Sequence, residues 1–192
     1  MTEVLATTAR LRLRTWGQGD SDHFYAVMNT PAVMRWLGGV QDRATWDAAA
    51  GRIDRYQRNY GHTFWLVERK EDGGLLGFCG LKRANAPGAS FLGEFEIGWR
   101  LRELAWGQGI AKEAAVASLD LAFTRFGAPR VLAPTAAGNL ASQGLMKRLG
   151  MNRRVNLDFL DTRFPPLSEV NPQVVYGIDA ADWPAARTAA LG

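Results

Sequence analysis

Several stretches of the chain alternate between apolar and polar residues, with the two-residue period of a β-strand. Residues 9–16, ARLRLRTW, place leucine and arginine on opposite faces. Residues 62–69 and 74–83 flank Asp72-Gly73, a dipeptide typical of the tight turn in a β-hairpin. Four more stretches have strand character: residues 93–101, 130–136, 152–161 and 173–179. The pattern therefore predicts seven strands.

A period of three to four residues predicts helices elsewhere in the chain. The predicted helices cover residues 18–29, 43–60, about 107–126 and 139–150. Asp20 or Ser21 is expected near the cap of the first helix. Asn139 is expected to cap the last helix, and Gly150 follows its end.

The helix at about 107–126 is made mostly of alanine, valine, leucine and phenylalanine. Its polar residues fall within an arc of about 120° at ~100° per residue. They are Lys112, Glu113, Asp120 and Thr124. This helix is therefore predicted to be buried on most sides, with one stripe facing solvent.

The predicted order is one strand, two helices, three strands, a helix, a strand, a helix and two strands. This order is typical of an α/β domain with helices layered on a mixed sheet. No internal repeat, low-complexity tract or linker interrupts it. We therefore expect one domain over residues 1–192, with its core at about 9–180 and a C-terminal tail at 181–192.

Composition and charge narrow the class of protein. The chain has 192 residues, of which 47% are hydrophobic and 22% charged, as in ordinary globular proteins. The net charge of +4 comes from scattered basic residues, without the clusters typical of nucleic-acid binding. No apolar window approaches the ~20 residues of a membrane span, and no signal peptide is evident. The single cysteine, Cys79, fits the reducing cytoplasm, which is the predicted location.

Gly107 and Gly109 lie where a predicted strand leads into the alanine-rich helix. A strand, a Gly-x-Gly turn and a helix together offer backbone N–H groups and a helix dipole to a phosphate. The dinucleotide fingerprint G-x-G-x-x-G would need glycine in place of Lys112, and the nucleotide loop GxxxxGK[ST] is absent. A third pattern, Q/R-x-x-G-x-G/A, fits WGQGIA at 106–111 except at its first position.

The segment WGQGIAKEA resembles the coenzyme A pyrophosphate loop of the GNAT superfamily of N-acetyltransferases. EFEIGWRL resembles the central strand of that family, and AGNLASQGLMKRLGM resembles its second cofactor motif. The opening ARLRLRTWGQGDSDHFYAVMNTPAVMRWLGG is similar to the branch that includes the ribosomal-protein-alanine acetyltransferases. These motifs occur in the family's order over roughly residues 9–180.

The resemblance implies a mixed, mostly antiparallel seven-stranded sheet that splays at its centre, flanked by about four helices. It also implies that an amine attacks acetyl-CoA directly, with no covalent enzyme intermediate. The expected acceptor is a peptide N-terminus or a small-molecule amine, and the expected assembly is a monomer or homodimer. No metal is expected, because His23 and His62 are too few and too far apart in the pattern for a metal site.

The resemblance also assigns the residues that bind coenzyme A. They are Trp99, Arg100, Leu101, Trp106, Gly107, Gln108, Gly109, Ile110, Ala111 and Asn139. The first three would pair their backbone with pantetheine amides. Trp106 stands where the general pattern has Gln or Arg, and an indole offers a phosphate no guanidinium. Backbone N–H groups from Gly107 to Ala111 would then hold the pyrophosphate, unless the glycines only form a tight turn.

Two residues are candidates for catalysis. Glu96 lies ten residues before Trp106, where several members of the family carry the proton acceptor. Glu96 could instead be a solvated strand residue or a counter-ion for the acceptor amine. Ser142 occupies a place where this branch can carry a serine near the sulfur, and residues 139–149 contain no tyrosine. Its alternative role is to bond local backbone groups.

The acceptor is expected between the loops at roughly 29–42 and 161–173. Their candidate contact residues are Arg35, Trp36, Asp161, Arg163, Phe164 and Glu169. Cys79 lies among apolar residues of a predicted strand, so a buried inert thiol is favoured over a nucleophile. Two other functions are compatible with the pattern: a non-catalytic acyl-CoA sensor and a nucleotide-binding module.

Overall fold

A computed structural model describes residues 2–192 of the chain. These residues form two compact units. The first unit contains residues 2–35, 39–82 and 98–118, and the second contains 36–38, 83–97 and 119–192. The organisation of residues 1–192 as one domain stays a prediction.

The described residues form eight strands and six α-helices. The strands are β1 Val4–Thr7, β2 Leu11–Arg14, β3 Phe64–Arg69, β4 Leu75–Arg83, β5 Phe95–Leu101, β6 Arg130–Ala136, β7 Asn152–Arg153 and β8 Gln173–Asp179. The helices are α1 Asp20–Met28, α2 Pro31–Met34, α3 Arg43–Tyr60, α4 Ile110–Thr124, α5 Leu140–Arg148 and α6 Trp183–Leu191. The strand order in the sheet is β1-β2-β3-β4-β5-β6-β8-β7.

The α/β fold class is confirmed, but the predicted number of seven strands is wrong. The sequence pattern missed β1, a short and largely exposed strand whose partner is β2. The strands β5 and β6 pair in parallel. Antiparallel pairing is found for β1-β2, β2-β3, β3-β4, β6-β8 and β7-β8. The sheet is therefore mixed and mostly antiparallel, as predicted.

An aromatic cluster forms the core of the first unit on one face of β3 and β4. Phe24 of α1 stacks on Trp46 of α3 at a centroid distance of 5.1 Å and on Phe78 of β4 at 5.4 Å. The Asp42 side chain caps α3 by accepting a hydrogen bond from Thr45 N at 2.8 Å. The boundaries predicted for this helix, residues 43–60, are confirmed.

The other face of β4 packs on the first part of α4. The Cys79 sulfur lies 3.4 Å from the Ser118 hydroxyl, and Ala114 and Ala115 are fully buried. The predicted polar stripe is confirmed, because Lys112 and Glu113 are only partly buried. The small alanine side chains let this helix lie close to the sheet.

In the second unit, β6 and β8 pair over their full length, from Arg130 opposite Asp179 to Ala136 opposite Gln173. The strand predicted at 152–161 ends at Arg153; Val155–Leu157 form a 3₁₀-helix instead, and Phe159 makes an isolated bridge to Gln173 of β8. There the chain turns, because the Asp158 carboxylate accepts a hydrogen bond from Val175 N at 3.1 Å in place of a ladder bond.

The predicted C-terminal tail contains α6. Trp183 at its start is buried, and its indole N–H donates to Asp120 Oδ1 at 2.9 Å. Its ring packs on Phe123 at a centroid distance of 5.8 Å. Among residues 2–192, every helix is too short or too polar to cross a bilayer.

Candidate functional site

The Gly-x-Gly turn of the first unit adopts a backbone conformation that requires glycine. Gly107 and Gly109 have φ of 72° and 76°, in the left-handed region that other residues rarely adopt. A Cβ atom at Gly107 would meet nothing within 4 Å, so the requirement there is conformational rather than steric. The helix α4 starts at Ile110, and its first N–H groups have no intrahelical acceptor. The turn therefore offers donors to an anion.

Arg10 holds this turn from the loop between β1 and β2. Its Nη1 atom donates to Gln108 O at 3.0 Å, and its Nε atom donates to Glu113 Oε2 at 2.6 Å. Glu113 Oε1 accepts further hydrogen bonds from Arg10 N at 2.9 Å and from the Thr8 hydroxyl at 2.6 Å. A guanidinium thus lies beside the turn although residue 106 is not basic. Sequence reasoning missed Arg10, because about a hundred residues separate it from its partners.

Trp106 links the turn to the end of β5. Its indole N–H donates to Leu101 O at 2.8 Å. The backbone around Arg100 and Leu101 lies against Gly77 of β4, where a Cβ atom would come within 2.1 Å of Arg100 O. The turn and the segment Trp99–Leu101, both predicted to bind the cofactor, are thus brought together in the first unit.

Glu96 is a buried carboxylate in the second unit, with 7% of its surface exposed. The interpretation of Glu96 as a solvated strand residue is therefore wrong. Its neighbour Glu94 is the one that reaches the surface, where it forms an ion pair with Arg130. Glu96 lies in register with Leu132 of β6.

The positive charge of Arg163 interacts with the negative charge of Glu96. The pKa of Arg163 is raised first by its hydrogen bonds to Asp161, and Glu96 adds to this rise, whereas burial opposes it. Asp161 is buried, and its carboxylate accepts from Arg163 Nε at 2.9 Å. The Asn171 side chain fixes this loop by accepting from Asp161 N at 3.0 Å and donating to Pro165 O at 3.2 Å. The loop thus holds a charged pair near Glu96.

Asn139 and Ser142 lie together at the start of α5. Asn139 caps the helix, as predicted, by accepting a hydrogen bond from Ser142 N at 3.3 Å. Its Nδ2 atom donates to Ser142 Oγ at 3.2 Å and to Thr135 Oγ1 at 3.1 Å. The amide thereby fixes the position of the hydroxyl oxygen.

Aromatic residues of both predicted acceptor loops pack within the second unit. A Cβ atom at Gly138, next to Asn139, would lie 2.8 Å from the Trp36 ring. A Cβ atom at Gly38 would lie 2.5 Å from the Phe164 ring. The loop residues 36–38 therefore contact both the start of α5 and the loop at 161–173.

Residues 2–192 contain no group of three or more histidine, cysteine, aspartate or glutamate side chains able to hold a metal ion. His62 is buried, with its Nδ1 atom 3.0 Å from Leu81 O. Burial raises the pKa of the Cys79 thiol to about 12, although its contact with Ser118 opposes this rise. The prediction of a buried thiol at this position is therefore confirmed, and its lack of reactivity stays a prediction.

The fold and the turn place the chain in a known family. Residues 10–152 match the sequence model of the acetyltransferase (GNAT) domain. This protein belongs to the GNAT family of acetyltransferases. The uncharacterized protein YkkB of Bacillus subtilis (strain 168) is 30% identical over 146 residues, which are 76% of this chain and 83% of YkkB. The uncharacterized N-acetyltransferase YnaD of the same organism is 26% identical over 92% of this chain and 98% of YnaD.

Solved structures show the same fold. The acetyltransferase from Agrobacterium tumefaciens strain C58 has a TM-score of 0.73 and 24% identity, over 90% of this chain and 92% of that chain. RimL, a ribosomal L7/L12 alpha-N-protein acetyltransferase, has a TM-score of 0.71 and 17% identity, over 93% of this chain and 95% of that chain. The resemblance found in the sequence is therefore confirmed.

Proposed function

We propose that this protein transfers an acetyl group from acetyl-CoA to a primary amine, on a protein N-terminus or a small molecule. Family membership establishes acetyl transfer as its general activity. The observation that supports the cofactor is the turn at Gly107–Gly109, where backbone donors, the start of α4 and the Arg10 guanidinium occur together. This combination suits a pyrophosphate. We place the activity in the cytoplasm, in a monomer or a homodimer.

The residues at the turn and along β5 would hold coenzyme A. The backbone of residues 107–111 would bind the pyrophosphate, with Trp106 fixing the turn through Leu101. The backbone of residues 99–101 would pair with the pantetheine amides as a neighbouring strand does. Asn139 would contact pantetheine in addition to capping α5. These contacts would position the thioester for attack.

The transfer forms one C–N bond and breaks one C–S bond. The neutral amine nitrogen attacks the thioester carbonyl carbon, and the proton that this nitrogen loses as the amide forms passes to the sulfur, which leaves as the thiol of coenzyme A. Glu96 would accept the proton of the acceptor ammonium, directly or through water. Ser142 would donate a hydrogen bond to the leaving sulfur, and the bond from Asn139 Nδ2 would hold its oxygen in place.

Incubation with acetyl-CoA and a panel of primary amines, with thiol release as the readout, tests this proposal. We expect turnover of at least one amine and calorimetric binding of coenzyme A. Binding of coenzyme A with no turnover of any amine would instead indicate an acyl-CoA sensor. Binding of ATP or NAD with indifference to coenzyme A would indicate a nucleotide-binding module.

Two variants test the roles of the catalytic candidates. Glu96→Gln should lower kcat on the order of 10²–10⁴-fold with little change in the KM of acetyl-CoA. Ser142→Ala should lower kcat about tenfold, the effect of one lost hydrogen bond to a charged group. Glu94→Gln is the matched control, because Glu94 lies two residues away but pairs with Arg130. Equal losses in Glu94→Gln and Glu96→Gln would contradict the assigned base.

A further inference from the structure

Arg100 of β5 carries a charge that pairs with no carboxylate among residues 2–192. Its Nε atom is buried and has no hydrogen-bond partner among residues 2–192. Its guanidinium carbon lies 5.1 Å from the centroid of the Phe78 ring, and among residues 2–192 that ring is the one group paired with the guanidinium. The residue is partly exposed, and its two Nη atoms, unlike Nε, are not among the buried polar atoms that lack a hydrogen-bond partner.

The surroundings of this guanidinium are aromatic. Phe78 stacks on Phe64 at a centroid distance of 4.8 Å and on Phe24 at 5.4 Å. Burial lowers the pKa of Arg100 to about 10, so the group is still charged at neutral pH. A buried charge without a partner is costly, and its retention calls for a ligand that supplies the opposite charge.

Another largely buried arginine of the first unit shows the usual arrangement. Arg14 pairs with Asp20 at 2.7 Å and with Glu68 at 2.8 Å, and only 17% of its side chain is exposed. Its charge is therefore matched within the protein. Arg100 has no comparable carboxylate among residues 2–192.

The side chain of Arg100 and the helix α4, which follows the glycine turn, lie on opposite faces of the sheet. Phe78 packs on α1 and α3, whereas the next residue of β4, Cys79, lies beside Ser118 of α4. The guanidinium is thus on the face opposite α4, whose start would bind the pyrophosphate. A nucleophile must reach the thioester from a side that the leaving pantetheine does not occupy. The side chain of Arg100 is therefore placed for the acceptor, whereas only the backbone of this residue would pair with pantetheine.

We propose that the guanidinium of Arg100 binds a carboxylate of the acceptor, so that the substrate is an amine that carries a negative charge. This inference rests on the proposed function and adds the substrate class. Because the Nε atom is buried, a ligand cannot approach the edge of the guanidinium that contains it. The two Nη atoms remain, and together they can donate hydrogen bonds to the two oxygens of one carboxylate.

The test compares amines that differ in one carboxylate. The pairs are β-alanine and its amide, 4-aminobutyrate and its amide, and Ala-Glu-amide and Ala-Gln-amide. In the wild-type protein, kcat/KM of at least one charged member should exceed that of its neutral partner by about tenfold or more. Arg100→Gln should bring the ratio of kcat/KM within each pair close to one, and this ratio is the readout because a change common to both members of a pair cancels in it. Arg52→Gln, on the exposed face of α3, is the control for loss of one positive charge.

Three results would overturn the inference. These are equal kcat/KM within every pair, equal losses for charged and neutral amines in Arg100→Gln, and coenzyme A binding that is tenfold or more weaker in that variant. The last result would make Arg100 a cofactor ligand. Calorimetric titration with succinate and with succinamide gives a readout independent of turnover. If no amine is acetylated, binding of succinate to the wild-type protein that is lost in Arg100→Gln still supports the anion site. If the wild-type protein binds neither succinate nor succinamide, the anion site is contradicted.

Discussion

The indole N–H of Trp106 donates a 2.8 Å hydrogen bond to the carbonyl oxygen of Leu101. This bond joins the first residue of the glycine motif to the last residue of β5. The side chain at position 106 thus supports the turn from the strand rather than reaching out to a phosphate. Half of the indole surface remains exposed, so the bond and not burial fixes the ring.

Trp106→Phe should therefore weaken cofactor binding without changing the chemistry. The variant keeps an aromatic ring but loses the bond to Leu101, which is worth about 1 kcal/mol. We expect the KM for acetyl-CoA to rise about three- to tenfold, with kcat within about twofold of wild type. Trp183→Phe loses a comparable indole bond, to Asp120, and should lower Tm while leaving that KM unchanged. A fall in kcat alone for Trp106→Phe would contradict the assigned role.

Alanine at Gly107 or Gly109 should impair binding of coenzyme A. Both residues have positive φ, and a side chain there costs about 1–2 kcal/mol per residue. The turn would relax and lose its aligned N–H groups, so calorimetric affinity should fall by about tenfold or more. Gly73→Ala is a matched control, because Gly73 also has a φ of 70° and open space around it but lies in the β3-β4 turn. An equal loss of affinity in Gly73→Ala would show a general effect of instability.

The sequence predicted best the elements whose periodicity is strong. The boundaries of α3, β6 and β8 agree with the prediction because each has a clear period bounded by turn or cap residues. The end of the strand predicted at 152–161 failed because a side chain, Asp158, replaces a backbone acceptor. The helix α6 lies where the sequence predicted a tail, and its docking through the bond from Trp183 to Asp120 is a contact that periodicity does not display.

Some features of the candidate site could likewise be predicted from the sequence, and others could not. The glycine turn and the Asn139 cap follow from local spacing, which the sequence displays directly. Arg10 beside the turn and Arg163 near Glu96 depend on contacts between residues far apart in the chain. The burial of Glu96 also depends on packing, so alternation along one strand could not distinguish it from the surface residue Glu94.

Glu113 should stabilise the protein in a pH-dependent way. Burial raises its pKa, but hydrogen bonds from Thr8 and Arg10 outweigh this, and the net pKa lies below the ordinary value of 4.5. The folded state therefore gains stability above the unfolded pKa, and this gain is lost as pH falls through the folded pKa.

Glu113→Gln should accordingly lose about 1–3 kcal/mol of unfolding free energy at pH 7. The difference from wild type should shrink as pH falls below 4.5 in denaturant titrations. Asp54→Asn removes an exposed pair with Arg58 and should leave the unfolding free energy at pH 7 unchanged. A difference for Glu113→Gln that is constant with pH would contradict the role of its charge.

Cys79 should be unreactive while the protein is folded. Burial raises its pKa to about 12, so almost no thiolate exists at pH 8. Iodoacetamide should label the thiol only in denaturant, as mass spectrometry would show. Cys79→Ala should keep the rate of acetyl transfer within about twofold of wild type, because a buried thiol that stays protonated takes no part in the chemistry. Loss of turnover in Cys79→Ala with coenzyme A binding intact would instead make this residue a nucleophile.

Arg14 and Arg100 are both partly buried in the first unit, but their replacement by methionine should affect stability differently. Arg14→Met leaves the carboxylates of Asp20 and Glu68 without their partner and should cost about 2–4 kcal/mol. Arg100→Met removes a charge that no carboxylate of residues 2–192 balances, and it places an apolar chain beside Phe78. Its unfolding free energy should equal or exceed that of wild type, while the preference for charged amines disappears. Thermal and urea unfolding of both variants measure this contrast. A loss for Arg100→Met as large as that for Arg14→Met would show that its charge serves the fold and not a ligand.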